Sequence, residues 1–134
     1  MTEEQVRNRL EALRWYDIYI GILKEKIVKY DKEIQIRKKQ GMYFDLEVMH
    51  QDFAKERLQQ VQEAKQTILR FVELYADSED DAALLMKHFF EGKTYMVMAD
   101  ELFYSERTIT KKVTEAFKRI TKNAENVNPD DFPY

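Results

Sequence analysis

The chain has no cysteine, two prolines, three glycines and two histidines among 134 residues. The missing cysteine excludes disulfides, thiolate metal sites and cysteine nucleophiles. Scarce proline and glycine, with 35% charged and 44% apolar residues, point to an all-α chain built from long helices. His50 and His88 stand apart in sequence, and His88 reads as a packed or half-exposed side chain rather than a ligand. No apolar run approaches the ~20 residues of a membrane-spanning helix. Residues 1–5 lack the basic and then apolar start of a signal peptide. A cytoplasmic protein with no membrane partner is therefore expected. There is no glycine-rich phosphate loop and no serine nucleophile with a matching histidine. With 25 acids, carboxylate pairs arise by chance, while the expected inward seams carry Ile, Leu, Val and Tyr rather than a Mg²⁺-holding set. The chain is expected to be no enzyme, with no cofactor and no metal site.

What is abundant is helical periodicity. Thr2 and Gln5 form a capping box, with Glu3 and Glu4 in the first turn. Val6, Leu13, Ile20, Ile27 and Ile34 recur every seven residues, and Tyr16, Leu23 and Tyr30 fall three positions later, which makes a heptad seam. Arg9 and Arg37 take that later position at the two ends, where the seam is expected to fray. Gly21 costs about 1 kcal/mol relative to alanine in a helix, so it is tolerated there or marks a close approach by another helix. Lys38, Lys39, Gln40 and Gly41 suit a helix end. Asp45 suits the cap of a second helix running through Leu46, Met49, Phe53, Leu58, Val61, Ile68, Val72 and Tyr75, with Leu69 and Phe71 widening the stripe. Two long helices joined by a short turn predict an antiparallel hairpin over 1–76. Trp15, Tyr16, Tyr19, Ile20, Leu23 and Ile27 form a bulky band on the first helix. A homodimer through this band is expected, the alternative being a monomer in which the rest of the chain covers it. Residues 77–81 form an acidic break. Nothing periodic follows residue 122, so 123–134 is read as a mobile tail.

Residues 81–122 hold three short helical patterns. Ala82, Leu85, Met86 and Phe89 share one face before Gly92. Thr94 is a cap before Met96, Val97, Ala99 and Leu102. Ser105 is a cap before Ile109, Val113, Ala116, Phe117 and Ile120. Opposite that last stripe lie Arg107, Lys111, Thr114 and Lys118. From 105 to 122 there are six bases and two acids, and six minus two gives +4 in a chain whose net charge is −3. Such a face on the second of two close helices suits major-groove docking, in which cations neutralise phosphates and residues near the helix start reach base edges. A solvated surface face is the alternative. Ser105, Arg107, Thr108, Thr110, Lys111, Lys112, Thr114 and Lys118 are the candidate contacts to double-stranded DNA.

The spacing adds a resemblance covering about forty residues. Phe90-Glu91-Gly92, Thr94-Tyr95, Val97-Met98-Ala99, Glu101-Leu102, Ser105, Thr108-Ile109 and Ala116 follow in the order of the helix-turn-helix of sigma factor region four and its relatives. The layout as a whole is similar to phage late transcriptional regulators of the ArpU and RinA type. That resemblance implies a long N-terminal antiparallel helical hairpin followed by a C-terminal three-helix helix-turn-helix motif. It also implies a sequence-specific DNA-binding regulator that contacts RNA polymerase, another protein regulator or a second copy of itself. The chain departs from the pattern at Phe103, where the family usually has glycine, and a phenylalanine with positive φ is strained. The alternative is a protein-interaction module with a degenerate helix-turn-helix.

Overall fold

A computed structural model describes all 134 residues. It contains five α-helices and no strand, and 81% of its residues are helical. The helices are α1 (Glu3–Lys39), α2 (Asp45–Tyr75), α3 (Glu79–Leu85), α4 (Tyr95–Leu102) and α5 (Glu106–Asn123). A π-helical turn, Met86–Phe90, continues α3, and a short 3₁₀ turn covers Pro129–Asp131. No helix is long and apolar enough to cross a membrane. Packing groups the residues into two compact units: Met1–Trp15 with Lys65–Tyr134, and Tyr16–Ala64. The grouping does not follow the linear order 1–76, 81–122 and 123–134, because α1 and α2 each contribute to both units.

In the unit 16–64, Ile20 and Leu23 of α1 bury against Ala54 and Val61 of α2, with Tyr16, Ile27 and Leu58 packed around them. Arg37 Nε meets Glu47 at 3.1 Å. Gln51, nearly buried, donates from Nε2 to the Ile27 carbonyl at 3.2 Å, which satisfies a polar group in the seam. Between the helices, Gly41 adopts φ 68°, and the Gly41 and Met42 N–H groups donate to the Lys38 and Arg37 carbonyls, a Schellman end to α1. The expected α2 stripe is rotated at its start. Leu46, Met49 and Phe53 are exposed, whereas Gln51 and Ala54 face α1. The small alanine admits α1, and Gln51 finds its carbonyl only on that side. The bulky α1 band divides likewise: Ile20 and Leu23 are covered by α2 in the same chain, and Tyr19 stays half-exposed.

In the other unit, Val6, Leu10 and Leu13 of α1 and Ile68, Phe71 and Val72 of α2 are buried, as are Leu85, Met98, Ile109, Val113, Ala116 and Ile120. Helix α5 packs on both α3 and α4. Asp81, close to fully buried, takes a bidentate pair from Arg119 at 2.7 and 2.9 Å, which clamps α3 to α5.

Two expectations are corrected here. Arg9 does not fray the seam: it is 4% exposed and donates to the carbonyls of Gln5, Pro129 and Phe132 at 2.9, 2.9 and 2.7 Å. Residues 123–134 are packed rather than free. Asn128 accepts from the Asp130 N–H and Pro129 opens the 3₁₀ turn. Phe132 then buries with its ring 5.2 Å from Phe71 and 5.8 Å from Tyr75. Proline and aspartate break the helical periodicity of this segment, but Asn-Pro-Asp-Asp is itself a capped turn.

Candidate nucleic-acid interface

The site is built on α4, α5 and the three residues between them. Thr94 caps α4 by accepting from the Val97 N–H, and Ser105 caps α5 by accepting from the Thr108 N–H. Between them Phe103 ends α4 at φ 59°, ψ 38°, the only residue other than glycine with positive φ. Its N–H and that of Tyr104 both reach the Ala99 carbonyl. The tight turn is therefore made as a glycine would make it, although its residue carries a ring that is 95% exposed. The turn entering α4 is similar. Gly92 sits at φ 67°, and a Cβ there would lie 2.8 Å from the Arg14 guanidinium carbon.

Inside this frame Met98, Ala99, Ile109 and Val113 form one core cluster, with Leu84, Tyr95 and Leu102 packed on it. Met96 and Val97, two of the apolar residues that follow the Thr94 cap, point outward, with Val97 42% exposed. Of the adjacent apolar residues that follow the Thr94 cap, it is Met98 and Ala99 that the packing of α5 covers.

Arg107, Lys111, Thr114 and Lys118 are all exposed, at steps of four, three and four along α5. The structure brings these four candidates together on one face. The other candidates sit elsewhere. Ser105 is occupied as the cap, with its hydroxyl 2.8 Å from Thr108 Oγ1. Lys112 lies to one flank, its Nζ 5.1 Å over the Tyr104 ring. Thr110 and Thr114 donate their hydroxyls back to the Glu106 and Thr110 carbonyls at 2.9 and 2.7 Å, leaving oxygen lone pairs as acceptors. Arg119 is consumed by Asp81, and that hydrogen bond raises its pKa above the ordinary value. The +4 of the segment is therefore not all presented. Arg107, Lys111, Lys118 and Lys122 have no carboxylate partner.

Two cations were not among the candidates. Lys122 continues the stripe one turn beyond Lys118 and is exposed, so its spacing alone could have found it. Arg7 of α1 lies with its guanidinium carbon 4.7 Å over the Phe117 ring, beside α5, and also pairs with Glu3 at 3.3 Å. Only the fold brings Arg7 there.

At the start of α4, Lys93 Nζ donates to both Glu101 oxygens at 2.8 and 2.9 Å and sits 3.3 Å from Glu91. The hydrogen bond raises the Lys93 pKa and lowers that of Glu101. Comparison with protein-family models, curated proteins and solved structures finds no match to this chain.

Proposed function

We propose that the chain is a sequence-specific DNA-binding transcriptional regulator, with an N-terminal antiparallel helical hairpin and a helix-turn-helix of the sigma-region-four kind at 81–122. Helix α5 enters the major groove. Arg107, Lys111, Lys118 and Lys122 meet phosphates or base edges, and Thr114 offers an acceptor beside them. The observation that carries the reading is this row of exposed, carboxylate-free cations along the face of α5 opposite its buried stripe. The glycine-like geometry of Phe103 supports it, because α4 and α5 keep the close pairing that such docking needs. The hairpin serves a protein partner or a second copy of the chain, and paired copies would offer two α5 helices to two half-sites.

The test is binding to genomic DNA fragments at two salt concentrations. Lys118→Ala should weaken binding to every sequence and lower the salt slope by about one unit. Arg107→Ala should also relax sequence preference, at a cost of about 1–3 kcal/mol for a bidentate base contact. DNA binding that survives the double change Arg107→Ala/Lys111→Ala removes the assignment of α5.

A second reading has its own observation. Phe103, Met96 and Val97 are exposed apolar groups close together in sequence, which suits a protein-interaction module with a degenerate motif. Full loss of partner binding in Phe103→Ala with no DNA binding by the unaltered chain would select it.

A further inference from the structure

The unit 16–64 carries a groove between α1 and α2 that the DNA reading does not use. Its walls bear three rings, Tyr19, Tyr30 and Phe53, and three nitrogen-bearing side chains, Lys26, His50 and Arg57. No carboxylate lines it. The segment as a whole has nine Lys and Arg against nine Asp and Glu, a difference of zero, so this one-sided lining is a matter of placement and not of composition. The groups hold each other in position: the Arg57 guanidinium lies 5.6 Å over Tyr19, and the His50 and Tyr30 rings are 5.7 Å apart. None of the three nitrogen groups has a carboxylate partner. Phe53 is 60% exposed, and Ile22 and Met49 on the two helices are also solvent-facing apolar groups.

We propose that this groove binds an acidic amphipathic helix of a protein partner. Leucine-like side chains at steps of three and four would lie among the Tyr19, Tyr30 and Phe53 rings. Glutamates or aspartates on the flanks of that helix would meet Lys26 on one wall and Arg57 on the other. The charge of the lining selects this occupant over a basic or neutral helix, and the apolar shoulders select it over a nucleic acid, whose backbone would leave them wet. The proposal gives chemical content to the partner role of the hairpin. Its test contains no DNA, so the two readings succeed or fail separately.

The experiment is fluorescence anisotropy on the full chain with a labelled synthetic helix that has leucine on one face and glutamate on the other. A peptide with lysine in place of every glutamate is the comparison. The glutamate peptide should bind at least about tenfold more tightly, with the difference shrinking as salt rises. Lys26→Glu/Arg57→Glu should reverse that order. Phe53→Ala, which changes no charge, should weaken the glutamate peptide by about tenfold. All three side chains are exposed, so circular dichroism should stay that of the unaltered chain. Equal binding of the two peptides, or binding of neither, would overturn the proposal. So would sedimentation showing that the chain self-associates and that Phe53→Ala abolishes it, since a second copy would then be the occupant.

Discussion

The two units bury their apolar side chains to different depths. In 1–15 with 65–134, Val6, Leu10, Leu13, Ile68, Phe71, Leu85, Met98, Ile109 and Ile120 lose all solvent exposure. In 16–64 the deepest residues, Leu23 and Val61, keep 4%, and Ile20 and Ala54 keep 8%. The reason is geometric. Two helices share one seam and leave both flanks of it open, whereas the larger unit sets α5 and the C-terminal turn against its pair, with Arg7 over Phe117 and Phe132 on Phe71 and Tyr75, and packs α3 and α4 on α5. An identical heptad spacing in α1 thus gives a closed core around Leu13 and an open-sided one around Leu23. The open side is where the groove lies.

That contrast should appear directly in stability. Phe71→Ala is expected to cost about 3–5 kcal/mol, because neighbours on every side hold the cavity open. Leu23→Ala is expected to cost about 2 kcal/mol, the low end for its class, since an open seam relaxes. Denaturant melts measure both, and equal losses would remove the distinction between the units. The next effect tests whether the C-terminal turn belongs to the deeper core. Phe132→Ala should cost about 3 kcal/mol by stripping the rings of Phe71 and Tyr75 of a neighbour. A loss under about 0.5 kcal/mol, the usual surface effect, would mean that the turn is not held.

A smaller effect is expected at the strained turn, with the opposite sign. Phe103→Gly should stabilise the chain by about 1 kcal/mol: it relieves the left-handed conformation, worth about 1–2 kcal/mol, and gives part of that back in chain entropy. A lower melting point for the glycine variant would mean that the ring makes contacts of its own.

The smallest effect is electrostatic. Glu101 is held below its ordinary pKa of 4.5, first by the hydrogen bond from Lys93. Lys93 is held above its ordinary 10.5, first by the hydrogen bond to Glu101. The pair's contribution is therefore complete between those two ordinary values. It falls as pH drops through the lowered Glu101 value and as pH rises through the raised Lys93 value. Glu101→Gln should flatten both limbs of a stability–pH profile without moving the plateau of 16–64. An unchanged acid limb would show that the contact is not formed in solution.

How much of this was legible in sequence follows from which forces are local. The helix ends were legible at Thr94, Ser105 and Gly41, because a capping hydroxyl or a glycine acts on backbone groups within three or four residues. So was the opposition of Ile109, Val113 and Ile120 to Arg107, Lys111 and Lys118, because 3.6-residue periodicity fixes it. Within the candidate site, the split of the cations into presented and consumed ones was not legible. Arg119 and Lys118 are adjacent, but Asp81, thirty-eight positions away, takes the first and leaves the second.

By itself, then, the sequence determined an all-helical chain, the limits of its helices and the two faces of α5. Each follows from propensity, capping and period, which operate along the chain. Tertiary structure alone decided the rest. It chose Met98 over Val97 for the core, turned Leu46, Met49 and Phe53 outward, seated Arg9 on the carbonyls of Pro129 and Phe132, and drew the last residues onto Phe71. Each of those outcomes depends on a partner more than 20 residues distant or on which of two adjacent apolar faces a neighbouring helix covers. A stripe of apolar residues says that something will cover it; only the packed chain says what does.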